Sequence, residues 1–478
     1  MINYPFKTKP YEHQLAALDK GWNKREYGYF MEMGTGKTKV LIDSAAMLYD
    51  QGEITGLLVI APKGVYRNWD QKEIPTHLPD HIPMVMGVWS RNLTKKKKVE
   101  INTLFHPNDS LNILVINIDA LITAKGALVI EKFLLAHHTM MVIDESTIIK
   151  TPKAQRTKAA IKFGKMAKYR RILTGSPITK SPLDVYTQCE FLNEHLLGFS
   201  SFYGFRNRYA TTVNENYGGR RFIKVTGYQN TEELANVLRE FTYRVTKDEC
   251  LDLPPKIFMR REFEMTKEQK KVYNEMKASA IAFLEGEEAS ATVVITQLLR
   301  LHQISCGFFP ADSGEITPLK NYRMQEMFTA LEEVRGKVII WANYRHDIFI
   351  INEHLKLTYG KDSVVTYFGD TKDDDRQKAV SNFQDLESPV RFFLGNTQTG
   401  GYGITLTAAN TVIYYSNNYD LEKRLQSEDR AHRIGQHHPV TYIDLVCKNT
   451  IDEKIIGALR NKISLANSVT GDKWRDWI

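Results

Sequence analysis

The chain has 478 residues, with 64 Lys and Arg against 56 Asp and Glu, a formal charge of +8 and a pI near 9.0. That length exceeds one ordinary hydrophobic core, so about two or three domains are expected; the 42% hydrophobic and 25% charged content argues against long disorder. No apolar run approaches membrane-spanning length, MINYPFKTKP has no apolar signal-peptide core, and the positive balance favours a polyanionic partner. Cys189, Cys250, Cys306 and Cys447 are scattered without a close pair, which argues against a zinc ribbon or disulfide framework and fits a reducing cytosol.

The first element that carries chemistry is Met31–Thr38, MEMGTGKT. Gly34 and Gly36 let backbone N–H groups turn toward phosphates around Thr35, Lys37 adds a point charge, and the Thr38 hydroxyl can hold Mg²⁺. Met31 stands where the strict phosphate-loop pattern has its first glycine. Val40, Leu41, Ser44, Met47 and Leu48 then mark one face of a helix.

Short β-branched runs follow, each ending in a polar or glycine-containing turn. Leu57–Ile60 leads to Ala61-Pro62-Lys63, Ile113–Ile116 to Asn117, Met140–Ile143 to Asp144-Glu145, and Arg171–Leu173 to Thr174-Gly175-Ser176-Pro177. Unbroken apolar runs suit strands buried on both faces of a parallel sheet. The polar motifs fall at the carboxyl ends of these strands, where open α/β sheets bind ligands. Lys63, Arg67 and Asn68 suit a nucleic-acid phosphate or a solvated loop, and Thr174 and Ser176 suit a helix N-cap. Lys95–Lys98 is a solvated face or a DNA-tracking patch.

The span from Phe191 to about Arg335 is more helical, aromatic and charged. Tyr209–Thr226 reads as a hairpin or mobile loop, Leu253-Pro254-Pro255 as a joint, and Thr266–Phe283 as a helix. The strand theme returns at Lys337–Trp341, Val390–Leu394, Thr411–Tyr415 and Tyr442–Val446. Gly400, Gly401 and Gly403 permit a tight turn, and QSEDRAHRIGQ, Gln426–Gln436, carries Arg430 and Arg433 on an expected helix. Loop, acid pair and arginine pair are the parts of an NTPase. His432, His437 and His438 lack cysteine partners, so zinc is not expected.

In order, YEHQ (Tyr11–Gln14), MEMGTGKT, APKGVYRNW (Ala61–Trp69), DEST (Asp144–Thr147), LTGSP (Leu173–Pro177), QTGGYGITLTAAN (Gln398–Asn410) and QSEDRAHRIGQ resemble the Snf2 family of superfamily 2 DNA translocases. The resemblance implies an α/β fold of two RecA-like parallel-sheet lobes with helical insertions between them, over 1–252 and 253–478, and ATP in the cleft between the lobes. It implies that Gln14 reads adenine, Lys37 and Thr38 bind phosphate and Mg²⁺, and Asp144 orders the metal through water. Glu145 polarises the attacking water, and Arg430 and Arg433 stabilise the transferring phosphoryl group. Thr174, Ser176 and Gly403 fall in coupling motifs; Lys63, Arg67 and Asn68 fall in a DNA-contacting one. Thr405 stands where the family usually has Asn, and Tyr419 where many members have Trp, which suggests a divergent bacterial, viral or repair-type subgroup.

The expectation is a DNA-stimulated ATPase, working as a monomeric motor on double-stranded DNA through its backbone phosphates, in the cytoplasm or at the nucleoid. Two alternatives stay open: a strand-separating or branch-remodelling helicase, and a non-catalytic nucleic-acid-binding scaffold. A dinucleotide-binding dehydrogenase fits poorly, because Lys37-Thr38 follows Gly36 where that fingerprint wants a third glycine.

Overall fold

The computed structural model describes residues 2–63, 65–106, 108–217, 220–285, 291–311, 315–371, 373–400 and 403–470. The chain forms two compact units. One is built mainly from residues up to Val213 and from Val225–Asp252, the other from Leu253–Ser464.

The first unit is a parallel sheet with helices. Its strands are β1 (Glu26–Met31), β2 (Gly56–Ala61), β3 (Met84–Val88), β4 (Leu111–Asn117), β5 (Thr139–Asp144), β6 (Tyr169–Leu173) and β9 (Thr242–Val245), in the order β3-β4-β2-β5-β6-β1-β9. Every neighbouring pair is parallel. The apolar runs lack alternation because both faces are covered. Leu58, Ile60, Leu114, Ile116, Met141 and Ile143 enter one core; Leu57, Val59, Ile113, Val115, Met140 and Val142 enter the other. The stretch read as a hairpin or loop forms a separate two-stranded sheet, β7 (Ala210–Tyr217) and β8 (Arg220–Tyr228). Lys95–Lys98 opens helix Lys95–Thr103, N-capped by the Thr94 hydroxyl, and most of the run is exposed.

Helix Lys37–Asp50 differs from the one-faced helix expected. Lys39 through Leu48 are all buried, and the Lys39 ammonium meets Asp43 one turn on at 2.6 Å. Burial pushes the Asp43 carboxyl up to about 6, with Lys39 pulling it back.

In the second unit, β10 (Lys256–Phe263), β13 (Lys337–Trp341), β14 (Val364–Tyr367), β15 (Phe392–Gly395), β16 (Ala409–Tyr414) and β17 (Val440–Cys447) form a parallel sheet in the order β10-β17-β16-β13-β15-β14. A small antiparallel pair, β11 (Phe308–Pro310) and β12 (Ile316–Pro318), stands apart from it. Val338, Ile340 and Ile413 face one core, and Ile339, Trp341, Val412 and Tyr414 the other. The helix expected over Thr266–Phe283 runs Lys267–Glu285. Among the described residues no helix is long and apolar enough to cross a membrane.

Candidate active site

All seven parallel strands of the first sheet end at one edge, and the functional motifs leave from the ends of β1, β2, β5 and β6. β1 runs into Glu32–Gly36, where Gly34 and Gly36 both take φ near 86°. Thr35 ties the turn together, donating from its backbone N–H and its hydroxyl to the Glu32 carbonyl. Helix Lys37–Asp50 then starts with no side-chain cap and no acidic residue in its first turn. Its free N–H groups and positive dipole end are left for an anion.

Gln14 packs directly on this loop. Its Nε2 donates to the Thr35 carbonyl at 3.1 Å, and its Oε1 accepts from the Tyr11 backbone N–H at 3.0 Å. Gly36 is favoured by its φ of 86°, and a Cβ there would displace the Gln14 amide from its place against the loop. His13 Nε2 donates to the same Thr35 carbonyl at 2.7 Å.

β5 delivers the acid pair. Asp144 Oδ1 accepts from the Glu145 backbone N–H at 3.0 Å, and Oδ2 accepts from the Trp69 indole N–H at 2.9 Å. Burial pushes the Asp144 carboxyl up, while Lys37 and these two donors pull it back. Glu145 has left-handed backbone angles, φ 50° and ψ 61°, and its carboxylate lies 3.8 Å from the Lys37 ammonium. Loop lysine and acid pair are therefore brought together in one buried site. Among the described residues no group of three or more His, Cys, Asp or Glu could hold a metal. A hydroxyl at Thr38 and one carboxylate at Asp144 nonetheless fit Mg²⁺, which keeps several waters and takes its other oxygens from substrate phosphates.

β6 ends at Thr174, whose hydroxyl accepts from the Ser176 backbone N–H at 3.1 Å. No helix begins there; the next is a short 3₁₀ turn at Pro182–Asp184, so Thr174 caps a turn and not a helix. Gly175 lies against the phosphate loop, where a Cβ would stand 3.0 Å from the Met33 nitrogen. Arg244, on β9, donates to both the Phe30 and Gly175 carbonyls and joins the two strand ends.

β2 ends at Ala61, and Lys63, two residues on, is exposed. Arg67 and Asn68 lie in the short helix Tyr66–Asn68, and Arg67 pairs with Asp70 at 2.8 Å. Trp69 then opens a π turn, Trp69–Glu73.

The arginine pair belongs to the second unit, and here the expected helix is corrected. Helix Leu421–Glu428 ends before either arginine, with Asp429 at φ −71°, ψ 0°. Arg430 turns back so that its Nε caps the Gln426 carbonyl at 2.9 Å, which closes the helix. Arg430 and Arg433 each donate from Nη1 to the Ile404 carbonyl, at 3.1 and 3.3 Å. Gly403, at φ 70°, immediately precedes that carbonyl; Gly401 lies outside the described residues. Gln436 fixes the far end of the segment, with Nε2 contacting the Thr407, Ala409 and Ala431 carbonyls. A buried ionic network backs it: Arg424 bridges Glu428 at 2.9 Å and Asp444 at 2.5 Å.

Sequence reasoning missed Trp69, Arg244 and Gln436 as members of these sites. Trp69 and Gln436 stood inside quoted motifs, but their partners lie elsewhere in the chain. Arg244 is an isolated arginine on an edge strand and left no signal.

Residues 29–307 match the SNF2-related domain, and residues 320–435 match the helicase conserved C-terminal domain. The chain is 26% identical to the chromatin structure-remodeling complex subunit snf21 of Schizosaccharomyces pombe, over 96% of this chain and 39% of that protein. It is 25% identical to the mouse (Mus musculus) DNA annealing helicase and endonuclease ZRANB3, over 91% of this chain and 38% of that protein. The chain thus spans about two-fifths of the length of these relatives. The solved Sulfolobus solfataricus SWI2/SNF2 ATPase core in complex with dsDNA aligns at 25% identity and a TM-score of 0.43, over 98% of this chain and 96% of that one. With the SNF2-related domain covering more than half of its length, the chain belongs to the SNF2-related family.

Proposed function

We propose that the chain is a DNA-stimulated ATPase that translocates along double-stranded DNA and remodels DNA or DNA–protein complexes. The observation that carries this reading is the buried meeting of Lys37 with the Asp144–Glu145 pair at the strand ends of an SNF2-related domain. Phosphoryl transfer needs positioning and charge stabilisation more than covalent chemistry, and these residues supply both.

Lys37 and the N–H groups of Gly34–Thr38 hold the ATP phosphates, and Gln14 contacts the adenine side of the nucleotide. Thr38 and Asp144 would hold Mg²⁺, which would neutralise charge on the phosphates. Glu145 orients the attacking water and accepts its proton. Arg430 and Arg433 stabilise charge on the transferring phosphoryl group. Lys63, Arg67 and Asn68 hold the DNA backbone, and Thr174, Ser176 and Gly403 link that grip to hydrolysis. The duplex is held through phosphates, so binding weakens steeply with salt and carries little sequence preference. The motor acts as a monomer, in the cytoplasm or at the nucleoid.

The test is ATPase turnover with duplex DNA, single strands, forked DNA and RNA side by side. Duplex DNA should raise turnover well above the basal rate, and equal turnover with every nucleic acid and with none would sink the reading. A displacement assay separates translocation from helicase action. The chain should strip a third strand from duplex DNA without unwinding a tailed duplex, since unwinding must also break base stacking of about 1.4 kcal/mol per step.

A further inference from the structure

Trp69 is 2% exposed, yet its indole carries a polar N–H that burial would leave unsatisfied without a partner. That partner is Asp144 Oδ2, at 2.9 Å and 75 residues away in sequence. The other oxygen of the same carboxylate is held by the Glu145 N–H, so the Asp144 carboxylate is fixed from both sides. Asp144 immediately precedes the residue read above as the catalytic base.

Trp69 is also the first residue of the only π turn among the described residues, directly after helix Tyr66–Asn68 and before helix Ile74–His77. Single π turns inside helices occur often at functional sites, because the wider turn re-aims side chains. This turn brings Glu73 close enough for its charge to act on Asp144 as well. On the other side of Trp69, Arg67 pairs with Asp70 across the indole's own position in sequence. Arg67 Nε and Asp70 Oδ1 each lack a hydrogen-bond partner, so the pair joined through Nη2 and Oδ2 leaves one donor and one acceptor unused. A phosphate engaging Arg67 competes with Asp70 for the guanidinium and pulls on the turn that carries Trp69.

We infer that Trp69 is a positioning residue that transmits the grip on the DNA backbone at Lys63 and Arg67 to the Asp144–Glu145 pair. The inference rests on the ATPase reading above and deepens it: the DNA contact and the acid pair share one covalent turn and one buried hydrogen bond. Partners of this kind, once removed, typically cost about 10- to 100-fold in activity.

The test is Trp69→Phe in the full chain. Phe fills most of the indole's volume and removes only the donor. Three quantities are measured: equilibrium affinity for duplex DNA, equilibrium affinity for a non-hydrolysable ATP analogue, and kcat with and without duplex DNA. Both affinities should match wild type, while DNA-stimulated kcat falls by about 10- to 100-fold. A merely structural role would instead lower the melting temperature and leave the kcat of the folded fraction unchanged. Unchanged stimulated kcat overturns the inference and leaves the ATPase reading standing. A loss of DNA affinity that accounts for the loss of kcat also overturns it, because Trp69 would then belong to the DNA grip itself. If the wild-type chain shows no stimulation by any nucleic acid, the ATPase reading fails and this inference with it. Should the Phe variant melt below the assay temperature, Trp69→Tyr takes its place with the same expected result, since a phenol hydroxyl on the ring axis does not reproduce the indole N–H.

Discussion

Lys37 Nζ lies 3.8 Å from Glu145 Oε1, and the two side chains are 9% and 11% exposed. The cation proposed to bind phosphate is thus paired with the carboxylate proposed to activate water. On the proposed reading, nucleotide separates them, because the lysine cannot serve both anions at full strength. Burial keeps screening low, so the competition is not trivial.

Glu145→Gln should therefore bind ATP at least as tightly as wild type, since the competing charge is gone. Hydrolysis should fall by about a hundredfold or more, because an amide cannot take the proton. Lys37→Ala should lose nucleotide affinity together with turnover. Equilibrium nucleotide binding and single-turnover hydrolysis check both, and near wild-type hydrolysis by Glu145→Gln would remove the acid pair from the mechanism.

Arg430→Ala and Arg433→Ala should each lower turnover by on the order of a hundredfold while leaving DNA affinity largely intact. Both side chains bond the Ile404 carbonyl, so each variant also loosens the segment after Gly403. Loss of DNA binding with normal basal hydrolysis would move this segment from the phosphates to the DNA.

Gln436→Ala should resemble a mild version of the arginine variants. It leaves both guanidinium groups in place but removes the amide that contacts the Thr407, Ala409 and Ala431 carbonyls. Stability should drop by about 1–3 kcal/mol, the cost of unpaired buried polar groups. Turnover should fall at temperatures where the variant is still folded. A variant equal to wild type in melting and kcat would show that the clamp is redundant.

Asp347 gives a pH dependence of stability in the second unit. It is 3% exposed, its Oδ2 has no hydrogen-bond partner, and it lines a cavity of about 150 Å³ with Cys306, His354 and Tyr415. Burial raises its carboxyl to about 8, against the opposing pull of Arg323. The unfolded chain sheds this proton near pH 4, well before the folded one does. Between about 4 and 8 the folded state binds more protons, so stability falls as pH rises, and the loss is complete above the folded value. Asp347→Asn keeps the neutral shape and removes the slope. Thermal melts should show the variant gaining on wild type from pH 5 to pH 8.5, and parallel profiles would contradict the assignment.

The central strands were legible because burial on both faces writes an unbroken apolar run, as at Leu57–Ile60 and Met140–Ile143. Edge strands were not. β3, β9, β10 and β14 are only partly buried; polar residues break the run in β9, β10 and β14, and Gly87 interrupts the short β3. β1 was missed although central, because EYGYFM is aromatic and glycine-containing, not β-branched. The phosphate loop and the acid pair were legible as local patterns. The helix end at Glu428 was not, because it depends on Arg430 folding back onto Gln426 and on Ile404, which is distant in sequence. The Trp69–Asp144 bond was hidden for the same reason: 75 residues separate donor from acceptor.

The backbone at Glu145 works against the fold. A non-glycine residue held at φ 50° and ψ 61° costs on the order of 1 kcal/mol that glycine would not incur and asparagine would reduce. That strain is stored where the proposed catalytic carboxylate stands 3.8 Å from a buried lysine ammonium, so the fold gives up stability at the same residue on which the proposed chemistry depends.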